Sequence, residues 1–310
     1  MRIAIYGTGG VGGYFGGRLA QAGEEVVFIA RGEHLKALQA KGLHVNSIKG
    51  DFHISPTHAT DRPDQVGEVD AVLVCVKAWQ VPEAARAIKP MIGRDSFAVP
   101  LENGVEAPGQ LTAELGKEHV LGGLCQIVSF ISAPGEISHT GIDPFISFGE
   151  LDNRVTARAR RLKEAFDRVG VRSEIPADIQ AALWDKFLFI VAISGVGAVT
   201  RAPAGVIRKL PQTRAMLEGV MKEVKAVAEA QQVHLPDDVV QKKMAFIDSL
   251  PESATASMQR DILSGKPSEL EAQNGAVVRL GAKDGVATPV NSFIYSSLLP
   301  QELRARNQVQ

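Results

Sequence analysis

The sequence predicts an α/β domain built on a parallel sheet, followed by an all-α domain. Three observations carry that prediction. Strand-like and helix-like patterns alternate through the first half. A glycine turn with the spacing G-x-G-x-x-G joins the first strand to the first helix. Around Ile175-Pro176-Ala177 the character changes, and helical periodicity runs almost unbroken from there. The expected boundaries are 1–175 for the α/β part and 176–310 for the helical part.

Residues 2–6 run apolar, as a buried strand does, and the helix-like run after the glycine turn reaches Gly23. A second apolar strand over 25–30 ends at Arg31. HVNSI and DFHIS flank Lys49-Gly50 as a hairpin would. DAVLVCVK (70–77) is a continuous apolar run, the mark of a strand covered on both faces. A short helix over 82–91 precedes the strand SFAVPL (96–101), which ends at Glu102-Asn103-Gly104. Residues 105–116 read as helix and HVLGGLC as strand. Between about Ser129 and Leu151 the pattern is short antiparallel strands with Pro and Gly turns at one sheet edge, and residues 157–170 form an amphipathic helix. The helices expected beyond are 178–199, 210–232, 236–248, 252–264 and 268–284. The last rests on Ser268-Glu269-Leu270-Glu271, which matches a capping box after Pro267. The polar tail after Pro300 is expected to fray.

With 310 residues and 45% hydrophobic content the chain can bury two cores. A net charge of −1 and no long basic run argue against a nucleic-acid partner. The N-terminus is itself the first strand, so no signal peptide is expected. The longest apolar stretch, around 187–199, is too short to span a membrane, so no membrane partner is expected. Cys75 and Cys125 lie in strand-like runs and read as reduced core residues of a cytoplasmic protein. The seven histidines show no zinc spacing, and no metal is expected. A homodimer through the helical domain stays open, because no exposed apolar stripe decides it.

The glycine turn sits between a strand and a helix, which gives the motif its meaning. Gly7 allows the tight turn, Gly9 lets backbone approach a pyrophosphate, and Gly12 lets the helix pack on the strand. The loop Gly7-Thr8-Gly9-Gly10-Val11-Gly12 then presents a helix N-terminus to phosphates, the arrangement of a Rossmann-type dinucleotide site. An NAD site places a carboxylate at the end of the second strand for the ribose 2′-hydroxyl. Here that position holds Arg31, suited to a 2′-phosphate, so the expected cofactor is NADP(H).

Outside the turn, Lys186 is the most informative residue. It lies in WDKFLFIVAISGVGAV, apolar nearly all round and so a buried helix. A lysine there must reach water, pair or work. The plain alternative is that it pairs with Asp185 or snorkels out. Ser257 and Asp261 share one helix face, and Glu269 is placed at the start of the next helix, where the dipole alone would favour an acid. Asn274-Gly275 can be read as a mere break in that helix. Lys77 and Asn103 end presumed parallel strands, on the side where such sheets bind ligands, though loop polarity would also explain them.

Taken together, these residues resemble the ketopantoate reductases (2-dehydropantoate 2-reductases) over essentially the whole chain. The matching segments are GTGGVGG, Arg31 in FIARGEHL, CVKAWQ, ENGV, WDKF and SMQRDILSGKPSELEAQNGAVVRLG. The resemblance implies a Rossmann-type domain, a helical domain, and an active site in the cleft between. It implies NADPH-dependent reduction of 2-dehydropantoate to (R)-pantoate, a step toward pantothenate and coenzyme A. It also implies Lys186 as general acid, Glu269 as hydrogen-bond partner of the substrate, and Ser257 at the substrate carboxylate. Asn103 and Lys77 would meet the nicotinamide ribose and the active-site end of the cofactor, with Asn103 and Glu269 serving substrate and cofactor alike.

One departure bears on the substrate. The family commonly carries asparagines four and eight residues after the lysine, on its helical face, that hydrogen-bond the substrate. Here these substrate-facing positions are Ile190 and Ser194. A pocket built with fewer hydrogen bonds suits a 2-oxo acid with a branched or aromatic side chain. Besides ketopantoate reduction, the sequence therefore leaves open a paralogue acting on another 2-oxo acid or carbonyl compound, and a weakly catalytic NADP(H)-binding sensor.

Overall fold

The computed structural model describes residues 1–309 and divides into two compact units. The first comprises Met1–Glu102 and Ala107–Ile179; the second comprises Asn103–Glu106 and Gln180–Gln310. The division near residue 180 lies close to the expected change at 175/176, but the four residues 103–106 belong with the helical unit.

The first unit is built on a parallel sheet in the order β5-β2-β1-β6-β7: β5 His58–Thr60, β2 Glu25–Ile29, β1 Arg2–Tyr6, β6 Val69–Val74 and β7 Ile92–Pro100. Every pairing in it is parallel. Helices α1 (Gly10–Gln21), α2 (Gly32–Lys41), α3 (Val81–Ile88) and α4 (Ala107–Leu115) connect or flank these strands. The order reverses between β1 and β6, the switch point at which open α/β sheets bind ligands. Tyr14, Phe15 and Leu19 of α1 pack with Ile3 and Ile5 of β1 in one core, as the apolar run predicts.

A second sheet in the same unit takes the order β10-β9-β3-β4, with β8 paired to β9. Its strands are β3 Leu43–Ser47, β4 Phe52–Ile54, β8 Leu121–Ala133, β9 Glu136–Glu150 and β10 Arg172–Glu174. The β3–β4 hairpin is antiparallel, as expected. The 129–151 region corrects its expectation. It is not a set of short edge strands: β8 and β9 are 13 and 15 residues long, and β9 lies inside the second sheet between β3 and β10. Gly141 and Pro144 are absorbed within β9, and only Pro134-Gly135 makes the turn. Helix α5 (Ala157–Arg168) packs Leu162 and Phe166 into the same core.

The second unit is all helical: α6 Ile179–Thr200, α7 Ala204–Lys209, α8 Pro211–Ala230, α9 Val239–Ser249, α10 Ser257–Leu263, α11 Asn274–Asp284 and α12 Pro289–Ala305. Trp184, Phe187, Leu188, Val191 and Val196 of α6 join Leu217, Val220 and Val224 of α8 in its core. The apolar run is longer than the sequence suggested. By length and composition the 22-residue α6 is sufficient to cross a membrane, but 67% of its most apolar window is buried inside the protein, as in a core helix.

Two expectations fail around the C-terminus. No helix starts at Ser268. Its amide and hydroxyl donate to the buried Glu302 carboxylate at 3.0 and 2.5 Å, and residues 269–273 form turns before α11 begins at Asn274. Glu269 is therefore not a helix-terminal acid. Nor does the tail fray after Pro300: α12 runs through that proline to Ala305, because Glu302 is anchored on Ser268 and Arg306 reaches the Ser268 carbonyl at 3.0 Å.

Candidate active site

The glycine turn begins where β1 ends. Gly7 has φ +98°, which L side chains rarely adopt, and a Cβ there would lie 2.8 Å from the Cys75 carbonyl oxygen. A Cβ on Gly12 would come within 2.3 Å of the Gly7 carbonyl, so the helix lies as close to the strand as the motif implies. At Gly10 the constraint comes from elsewhere: a Cβ would meet the Ser129 carbonyl of β8 at 2.3 Å. Gly9 differs from all three, since a Cβ there meets nothing within 4 Å. Its bareness serves no contact inside the chain and leaves room for something to approach the backbone.

The turn is tied to the end of β2. The Thr8 amide and hydroxyl both donate to the Ile29 carbonyl at 3.0 Å, and Thr8 is buried. Arg31 follows two residues later, just ahead of α2. Its guanidinium meets Glu83 at 3.4 Å, but the two side chains are 69% and 62% exposed. So open a pair is worth little and leaves the guanidinium available to a ligand. Val11 is half-buried on α1, whose N-terminus has no side-chain cap and no acid in its first turn. The unpaired amides of that first turn suit a pyrophosphate, and the open space at Gly9 admits one. Lys77 follows β6, the other strand of the switch point, with its ammonium 5.9 Å from the Trp79 ring centroid. The glycine loop, Arg31 and Lys77 are thus gathered at the carboxyl ends of β1, β2 and β6.

The remaining candidates lie in the helical unit. Asn103 donates from Nδ2 to the Glu269 carboxylate at 3.2 Å, across 166 residues of sequence. The short segment bearing Asn103 is fixed there by two further contacts. Val105 packs against the helical core, and Glu106 accepts from Arg279 at 2.8 Å. Glu269 is buried.

Lys186 is half-buried on α6 and makes no ion pair or hydrogen bond among the described residues. The pairing with Asp185 does not form, because Asp185 accepts from Lys243 of α9 at 2.5 Å. Residues 186, 189, 190, 193, 194 and 197 share one face of the helix. Ile190, half-buried, packs against an apolar cluster. Ser194 is fully buried, and its hydroxyl has no partner among the described residues. Gly197 leaves room for Gln259 of α10, whose amide oxygen would lie 2.6 Å from a Cβ. Ser257, half-buried, is the first residue of α10, and Asp261 lies one turn along it. Asn274 does not break a helix. It opens α11, donating to Asn291 at 2.9 Å, with its amide filling the space beside Gly195.

The sequence reading missed Glu302, which holds Ser268 and with it the turn carrying Glu269, and Arg279, which holds the segment carrying Asn103. Nothing local signals them, because each acts across a long sequence separation.

Comparison with known proteins agrees with this arrangement. Residues 3–153 match the family described as ketopantoate reductase PanE/ApbA, and residues 178–302 match its C-terminal domain. An uncharacterized oxidoreductase of Bacillus subtilis (strain 168), YkpB, is 31% identical, covering 96% of this chain and 98% of its own. The chain belongs to the ketopantoate reductase family. A crystal structure of 2-dehydropantoate 2-reductase from Geobacter metallireducens GS-15 superposes with a TM-score of 0.90 at 30% identity, over 97% of this chain and 99% of that one. A D-mandelate dehydrogenase, solved with NADH and anilino(oxo)acetate, superposes with a TM-score of 0.89 at 23% identity, over 99% of each chain. That likeness speaks for the fold alone. Like other members, this ketopantoate reductase relative is a dinucleotide-binding oxidoreductase, and the fold does not fix its substrate.

Proposed function

We propose that this protein reduces the ketone of a 2-oxo acid to the 2-hydroxy acid with NADPH, with Lys186 as general acid. Ketopantoate, giving (R)-pantoate, is the first candidate acid, since relatives of about 30% identity carry that activity in their names. The observation that carries the reading is Lys186 itself: a half-buried lysine on an apolar helix whose neighbouring carboxylate is already taken by Lys243. A lysine so placed and so unpaired is better explained by work than by structure.

The residues of the first unit fit the nucleotide. Gly9 leaves the approach open, the start of α1 offers amides to the pyrophosphate, and Arg31 offers a guanidinium to the 2′-phosphate. When bound, NADPH supplies the hydride. Negative charge then grows on the ketone oxygen, where the Lys186 ammonium stabilises it and delivers a proton. An arginine there would give the charge but not the proton. Glu269, oriented by Asn103, accepts a hydrogen bond from the substrate, and Ser257 donates to its carboxylate. The assay is NADPH oxidation followed at 340 nm with ketopantoate and a panel of other 2-oxo acids. Saturable turnover supports the reading, and none with any of them, with NADPH still bound, refutes it.

A second reading, favoured by Ile190, is a relative that acts on a 2-oxo acid other than ketopantoate.

A further inference from the structure

We infer that the acid this site takes carries an apolar side chain, and that Phe189, Ile190 and Ala254 form the wall that selects it. The inference rests on the 2-oxo acid reading above and decides between its two candidates.

The wall is built around the lysine. One turn beyond Lys186 on the same face stand Phe189 and Ile190, about 4.5 and 6 Å along the axis. Both are half-buried and pack against Ile193, Ala204 and Ala256, where Leu250 and Ala254 also pack. Ala256 immediately precedes Ser257, so the segment that brings Ser257 also closes this apolar cluster. A molecule that reaches both Lys186 and Ser257 therefore borders hydrocarbon. Phe189 extends the surface outward through an edge-to-face contact with Phe246 at 5.1 Å, and Phe246 is 47% exposed. None of these side chains can give or accept a hydrogen bond. The next polar group on the face, the Ser194 hydroxyl, lies about 12 Å from Lys186 along the axis. It is fully buried, beyond a four-carbon acid held at the lysine.

The chemistry of this wall sets a direction. A substrate hydroxyl placed against Ile190 loses its water and gains no partner, which is costly. A methyl or phenyl group there is favoured by burial. Selection against the hydroxyl should therefore be comparable to the discrimination that a missing methylene gives, about ten- to a hundredfold.

Two acids that differ by one hydroxyl isolate the effect: ketopantoate, which is 4-hydroxy-3,3-dimethyl-2-oxobutanoate, and 3,3-dimethyl-2-oxobutanoate. The measurement is kcat/KM for each with NADPH, for the native chain, Ile190→Asn and Ile190→Val. The native chain is expected to favour the deoxy acid by about tenfold or more. Ile190→Asn should move the ratio at least tenfold toward ketopantoate, while Ile190→Val should leave it within about twofold. A native preference for ketopantoate, or a ratio that Ile190→Asn does not move, overturns the apolar wall while leaving 2-oxo acid reduction intact. Turnover of neither acid, nor of any other 2-oxo acid, overturns instead the reading on which the inference rests.

Discussion

The glycine turn of the first unit and the Lys186 face of the second are specified in different ways. In the turn, backbone meets backbone. Gly7, Gly10 and Gly12 are required because an added Cβ would lie within 3 Å of a carbonyl oxygen. Such a site tolerates little change, and its spacing is visible over six residues. In the helical unit the candidate side chains come from distant parts of the sequence, and one long-range hydrogen bond joins two of them, Asn103 and Glu269. Side chains on the Lys186 face can be exchanged one at a time without a backbone clash. The glycine turn is thus the fixed half of this ketopantoate reductase relative, and the Lys186 face is the adjustable half.

The largest break in the comparison comes from Lys186→Ala. Turnover should fall by about two orders of magnitude or more, while NADPH affinity stays nearly intact, as steady-state kinetics and fluorescence titration would show. Unchanged turnover would remove the general-acid role. Next comes the contrast between two neighbouring glycines. Gly10→Ala forces a Cβ against the Ser129 carbonyl and should cost about 1–3 kcal/mol of stability in urea unfolding. Gly9→Ala, with φ −86° and open space around it, should unfold as the native chain does yet bind NADPH more weakly. Equal loss of stability in both would show that Gly9 is structural.

Glu302→Ala sharpens the account of the second unit. It leaves the Ser268 amide buried without an acceptor, a loss of about 1–3 kcal/mol by the same unfolding assay. Arg31→Ala should erase most of the preference for NADPH over NADH, about tenfold in the ratio of kcat/KM values. A ratio unmoved by that change would place the 2′-phosphate elsewhere.

The smallest effect concerns alkaline stability. Burial, and a hydrogen bond donated to Glu271 at 2.7 Å, push the Tyr295 phenol from 10.0 up to about 12. A folded value above the unfolded one means that this stabilisation is complete below pH 10 and is lost as pH rises toward 12. Tyr295→Phe should flatten that part of the pH–stability curve.

Much of the first unit was legible because its signals are local. Continuous apolar runs marked β1 and β6, and the glycine spacing marked the turn between β1 and α1. The second sheet was not legible, since β9 pairs in parallel with β3 across some ninety residues, and no local pattern reports such a partner. In the candidate site, Lys186 stood out because a charge on an otherwise apolar helix must reach water, pair or work. The membership of Asn103 in the helical unit was hidden, because the strand before it belongs to the other unit, while Glu269, Arg279 and the packing of Val105 tie the segment 103–106 to the helical one. Ser268 misled for a related reason: its capping sequence is genuine, but a distant carboxylate, Glu302, claims its hydroxyl.

The most direct test measures two constants on two variants: the NADPH Kd and the kcat at saturating NADPH, for Lys186→Ala and Gly9→Ala. The account predicts a clean crossing, with Lys186→Ala losing kcat and keeping Kd, and Gly9→Ala losing affinity and keeping kcat. Loss of both constants together in both variants would contradict the division of labour between a nucleotide-binding turn and a proton-delivering lysine.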